Sequence, residues 1–168
     1  MPVKPAKQDC HECLDPIAWL LGRWVTEDGH GSYPYTPSFY FHEELEFIYS
    51  EDEPLLDFMA TAKHSNRSLS LYERGYFHMP NPRRVQLIGT HNNGYTASEA
   101  GRYRASIKQI KLKSVTITAK PDVLRPYVLK TRRIFKLLSP NTLEYKRYVQ
   151  TEITPMTLYV RGIYKKVE

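Results

Sequence analysis

The chain of 168 residues has only two cysteines, and no apolar run approaches the ~20 residues that span a bilayer. Each absence excludes something. Cys10 and Cys13 form CHEC, but a structural zinc site needs four ligands and there is no second ligand pair. A thioredoxin-like CxxC should open a helix after a strand, and this one does not. Both cysteines are therefore expected in a solvent-exposed leader. The opening MPVKPAKQDC has no apolar core of the kind a secretory signal carries, so the expected location is cytoplasmic. No GxSxG, Walker A, post-strand GxGxxG, HExxH or kinase signature occurs. Any catalysis must then be carried by a cofactor. His11, His30, His42, His64, His78 and His91 form no HxH or HxxxH set, and each reads as a surface or loop residue.

The chain does hold enough apolar residues, 41% with 13 tyrosines, to bury the core of one domain without disulfide or metal staples. Charge is unevenly spread. Positions 24 to 62 hold nine Asp or Glu and no Lys or Arg, while positions 102 to 136 hold eleven Lys or Arg and one Asp. A nucleic-acid surface would show such asymmetry, but Arg102 and Arg104 alternate with Tyr103 and Ala105, as outward charges do on a half-buried strand. A solvated sheet face is the reading favoured. Glu43 and Glu44 are adjacent, so on a strand they point to opposite faces and cannot work on one substrate atom; pairing with Arg near a barrel rim is expected instead.

Leu14 to Leu21 is expected to form a short helical turn, with Asp15 as N-cap, Pro16 at the first helical position and Gly22 ending it. From Gly22 onward the signals are strands rich in Tyr, Phe, Val, Ile and Thr, broken by turn clusters such as Pro80-Asn81-Pro82 and His91-Asn92-Asn93-Gly94. Strands are expected over 22–28, 37–49, 55–63, 68–78, 83–90, 94–99, 102–109, 111–119, 127–137, 142–152 and 157–166. Alternation changes parity between Lys108 and Ile110, which implies a turn or bulge there. Short connections and the lack of crossover helices favour an all-β fold: an antiparallel up-and-down barrel of about ten strands, with Trp19 and Trp24 buried near one end. The expected organisation is a disordered leader, 1–13, whose removal leaves the fold intact, and one barrel domain, 14–168.

Several blocks, in order, resemble the nitrobindin family: Leu20-Leu21-Gly22-Arg23-Trp24, Gly29-His30-Gly31-Ser32-Tyr33-Pro34, Ser38 to Glu44, Glu73-Arg74-Gly75-Tyr76-Phe77, Asn92-Asn93-Gly94, Ile110 to Ser114, and Thr154-Pro155-Met156-Thr157 leading to Tyr164-Lys165-Lys166. The closing stretch is similar to the barrel at the C-terminus of a THAP-type zinc-finger protein, without its DNA-binding module. The resemblance implies a barrel like that of fatty-acid-binding proteins, ferric haem b, reaction with nitric oxide, and isomerisation of peroxynitrite to nitrate when haem is bound.

It also implies the site residues. The family's axial haem histidine falls on Tyr159, a second pocket histidine on Leu71, and a further histidine on Arg161. A tyrosinate can hold Fe(III) if a cation lowers its pKa from about 10, and Arg161, two residues along the strand, is expected on the same face as Tyr159. Leu71 would pack on the distal side without donating a hydrogen bond. The family's glycines after Trp24 are replaced in Val25-Thr26-Glu27-Asp28 with one extra residue, so the first loop is expected to differ. Two readings stay open: a haem barrel with Tyr159 on the iron, or a haem-free barrel binding a small apolar molecule or a protein partner.

Overall fold

Ten strands follow one another with short turns: β1 Gly22–Tyr33, β2 Thr36–Tyr49, β3 Leu56–His64, β4 Ser70–Asn81, β5 Arg84–His91, β6 Tyr95–Arg104, β7 Gln109–Ala119, β8 Val128–Ser139, β9 Thr142–Thr151 and β10 Thr157–Lys166. The computed structural model describes residues 11–64 and 70–167. Each strand pairs antiparallel with the next, and β1 pairs with β10, closing the barrel. Closure gives every strand a partner on both sides, which is why a chain with this alternation and no crossover helix settles here. The expected barrel is the observed one.

The segments expected at 94–99 and 102–109 are a single strand, β6, followed by a short 3₁₀ turn at Ala105–Ile107. Lys108 takes a left-handed conformation, φ 45°, and this turn produces the change of parity seen in the sequence. Residues 68 and 69, included in an expected strand, lie outside the described residues, as does Cys10. Arg102 and Arg104 are exposed and Tyr103 is buried, and Arg102 stands opposite both Arg84 and Lys111. Arg102 and Arg104 thus sit on an outer sheet face.

The N-terminal turn is a 3₁₀ helix, Glu12–Leu20, with His11 rather than Asp15 at its N-cap and Pro16 inside it. It starts earlier than expected because His11 is anchored. Its Nε2 lies 2.9 Å from Ser50 O, and its ring stacks on Tyr49 at 4.3 Å. Leu14, Ile17 and Leu20 are fully buried and plug one mouth of the barrel against Trp24. Trp24 Nε1 donates to Leu20 O at 2.8 Å, satisfying the one polar atom that burial would otherwise strand. Trp19, expected to be buried, is only partly so and donates to Tyr103 Oη at 3.1 Å. Beneath the plug, Phe47, Phe58, Phe77 and Phe135 pack as one aromatic group with ring centroids 5.1 to 6.2 Å apart. Truncating any one to Ala would cost about 3–5 kcal/mol. No helix among the described residues is long and apolar enough to cross a membrane.

Candidate ligand site at the open mouth

Between the aromatic core and the mouth opposite the helix lies a layer of buried polar groups. Arg133, on β8 and 1% exposed, donates from Nε and Nη2 to Glu99 at 2.9 and 2.7 Å, and from Nη1 and Nη2 to Glu73 at 2.7 and 2.6 Å. Two bidentate carboxylates on one guanidinium satisfy most of its donors, the arrangement in which a buried charge is tolerated. Burial pushes Glu73 up, but Arg133 and the hydrogen bonds outweigh it and hold the carboxyl well below its usual range. Arg133 itself loses to burial and gains more from Glu73 and Glu99, so it stays charged. Beside this group Tyr164 Oη donates to Glu43 Oε1 at 2.5 Å. Burial dominates at Glu43 and lifts its pKa to about 7, against the opposing effect of the Tyr164 bond.

Above the layer the barrel opens into a two-lobed cavity. The inner lobe, about 120 Å³, is lined by Glu43, Ala62, His64, Leu71, His91 and Tyr159 among others. The outer lobe, about 350 Å³, is lined by Tyr33, Ile117, Pro126, Val128 and Val149 together with polar residues that include Thr131 and Thr151. His91, Asn93, Arg147 and Tyr159 border both lobes. The outer lobe exists because β7 and β8 pair only from Gln109–Lys113 against Lys136–Arg132 and diverge beyond, where Thr131 N turns to Ser114 Oγ at 3.0 Å.

Tyr159 reaches the cavity by a bulge. In β10, Leu158 pairs with Tyr148 but Val160 pairs with Arg147, so Tyr159 is an extra residue, and both Tyr159 and Val160 line the inner lobe. Past the bulge the parity is reset, and Arg161 lies on the outer wall, 51% exposed, donating to Glu144 Oε2 from Nε at 3.1 Å and Nη2 at 2.6 Å. Arg161, expected on the same face as Tyr159, is thus engaged on the outer wall, where the two residues also border a shared surface groove. Leu71 is on β4 and does line the cavity with Tyr159. A second bulge, between Thr26 and Gly29 on β1, absorbs the extra residue after Trp24; the change sits inside a long strand and not in a loop.

Three histidines are not the surface residues expected. His11 is buried under the barrel, as described. His64 is buried at the end of β3 and stacks on Phe39 with ring centroids 4.4 Å apart. His91 ends β5, with Nε2 3.0 Å from Glu73 Oε2 at a poor hydrogen-bond angle, and burial pushes its pKa below 6.5. Glu43 and Glu44 do point to opposite faces: Glu43 lines the cavity, while Glu44 pairs outside with Arg23.

The mouth on the β1 side is floored by rings. A Cβ on Gly29 would meet the Phe41 ring at 2.4 Å and one on Gly31 the Phe39 ring at 2.1 Å, so these glycines let both rings lie against β1. Phe39 in turn approaches Tyr159 at 5.8 Å, and Tyr33 meets Tyr159 edge-on at 5.7 Å. The inner lobe alone, about 120 Å³, is smaller than the ~300–1,000 Å³ of ordinary small-molecule pockets, the outer lobe adds about 350 Å³, and the residue at the family's axial position is a phenol held among rings. Among the described residues no group of three or more His, Cys, Asp or Glu is placed to hold a metal ion.

The chain is thus a closed antiparallel barrel with a partly apolar, partly polar cavity at one mouth. The chain belongs to the THAP4-like, heme-binding beta-barrel domain family, whose model matches residues 13–166. It is 27% identical over 157 residues to the human protein named peroxynitrite isomerase THAP4, covering 92% of this chain but only 27% of that protein's length. It is 35% identical over 109 residues to peroxynitrite isomerase 2 of Mycobacterium marinum, covering 64% of this chain and 66% of that one. The crystal structure of Rv2717c from M. tuberculosis shares the fold, with a TM-score of 0.82 at 22% identity over 94% of this chain and 98% of that one.

Proposed function

We propose that this chain is a small-ligand-binding member of the haem-binding barrel family whose cavity takes an apolar-bodied molecule in its outer lobe, and that ferric haem binds it far more weakly than a histidine-ligated relative. The observation that carries this reading is the bulge at Tyr159. It aims the Tyr159 side chain at the junction of the two lobes, while Arg161 is engaged with Glu144 on the outer wall and Leu71 offers no distal donor. A phenol of pKa near 10 is a poor ligand for iron at neutral pH unless a neighbouring charge lowers that value. Relatives are named peroxynitrite isomerases, and the corresponding chemistry in this chain would require bound haem, since no side-chain nucleophile motif is present. The test is reconstitution with ferric haem followed by an absorbance titration. Weak, unsaturated binding without a stable Soret band is expected, and protein that copurifies with stoichiometric haem would refute the reading.

A further inference from the structure

Arg133 and Arg147 stand directly opposite each other on β8 and β9, both turned into the barrel. Like charges placed opposite on neighbouring strands are destabilising, so each needs compensation. Arg133 has it in Glu73 and Glu99. Arg147 does not: its buried Nε has no hydrogen-bond partner, and it takes part in no ion pair or hydrogen bond among the described residues. Its charge is felt only through space, at Glu43, His91 and Tyr145. A planar fork of donors left unpaired at the wall between an apolar lobe and a polar floor is a recognition element for a carboxylate.

We propose that Arg147 is the anion seat of the cavity, and that the ligand is an amphipathic monocarboxylic acid whose carboxylate pairs with Arg147 and whose apolar tail fills the outer lobe toward the gap between β7 and β8. This rests on the reading of the cavity as a ligand site and adds the ligand's chemical class. The tail is specified by Ile117, Val128 and Val149, which line an outer lobe of about 350 Å³. A single charge is specified because Glu73, held ionised, lines the inner lobe next to Arg147 and would repel a second anionic group.

The shared chemistry has two sources, a free amphipathic acid or a porphyrin propionate, and the test separates them. Calorimetric titrations of the wild type with decanoate, decan-1-ol, mesoporphyrin and mesoporphyrin dimethyl ester are compared with the same titrations of Arg147→Met and Arg147→Lys. Decanoate is expected to bind wild type at least tenfold more tightly than decan-1-ol; Arg147→Met should erase that preference and Arg147→Lys keep most of it. The thermal midpoint of Arg147→Met should not fall, since the cation it removes has no partner, and an unchanged midpoint excludes misfolding as the cause. Equal binding of acid and alcohol to wild type would overturn the anion seat while leaving the cavity as a ligand site. Arg147-dependence confined to the porphyrin acid would overturn the free-acid source. If neither decanoate nor decanol binds, the ligand-site reading itself is lost, and with it this proposal.

Discussion

Tyr164 on β10 donates its hydroxyl to Glu43 on β2 across 2.5 Å, joining two strands that are not neighbours in the barrel wall. The bond holds a carboxyl whose pKa burial has raised from 4.5 to about 7. A carboxyl with a raised pKa favours the folded state only while protonated. Its contribution is fully present below pH 4.5 and is lost as pH rises through about 7, because the unfolded chain releases the proton first. The loss is expected to be about 2 kcal/mol, less than the bare shift implies because the cavity admits water. Glu43→Gln should flatten this slope, so that urea midpoints at pH 5 and pH 8 differ less in the variant than in wild type.

His91 works in the opposite direction. Burial pushes its pKa below 6.5, so the unfolded chain takes up a proton that the folded barrel resists, and stability falls as pH drops below 6.5. In the Glu43→Gln background His91→Gln should remove this acid-side loss. A variant that still loses stability between pH 6.5 and 5 to the same extent would show that another group carries it.

Removing Arg133 alone should be among the most costly single changes in the chain. Arg133→Met strands Glu73 and Glu99 without a counter-charge in a layer where Arg133 is 1% exposed, and breaking such a buried pair costs about 3–5 kcal/mol. Replacing all three residues by Met, Leu and Leu should recover most of that loss, since the penalty belongs to the unpaired charges and not to missing volume. Denaturant unfolding of the single and triple variants measures both.

The strand pattern made the barrel legible, but the site was legible only in part. Leu56, Phe58, Ala60 and Ala62 alternate inward on β3, and extending that parity by two places would have put His64 in the cavity; ending the expected strand at 63 hid it. Val85, Leu87 and Gly89 point to His91 in the same way, one residue beyond the expected end of β5. The outer-wall engagement of Arg161 with Glu144 was not legible for a different reason. A bulge is a matter of pairing between β9 and β10, and nothing in the residues around Tyr159 encodes which strand carries the extra one. The link from Arg133 to Glu73 spans 60 residues and that from Tyr164 to Glu43 spans 121, separations at which local patterning carries no information.

Residues 11–13 of the expected leader lie within the described fold. His11 anchors the plug through Ser50 O and the Tyr49 ring, and Glu12 and Cys13 are the first turn of its helix. One part-buried hydrogen bond and one ring stack contribute about 1 kcal/mol each. Truncation through Cys13 is therefore expected to cost about 2 kcal/mol, and His11→Ala in the full chain most of the same amount. Equal thermal midpoints for the truncated and full-length chains would show the anchor to be without weight.

Haem affinity gives the sharpest test of Tyr159. Tyr159→His should strengthen ferric haem binding, because imidazole is a good neutral-pH ligand where a phenol is not. The gain should be limited by space, since Phe39 stacks on His64 and leans on Tyr159 at 5.8 Å, and the inner lobe holds only about 120 Å³. Phe39→Ala added to Tyr159→His should therefore raise affinity well beyond the single variant. Leu71→His should add a distal donor and shift the Soret maximum without being required for binding. Arg161→Ala should change none of these titrations, because Arg161 is engaged with Glu144 on the outer wall. If Tyr159→Phe abolishes a tight wild-type haem complex, the phenolate is the iron ligand after all. If Tyr159→His with Phe39→Ala gives no gain over wild type, the mouth is closed to haem by more than these two rings.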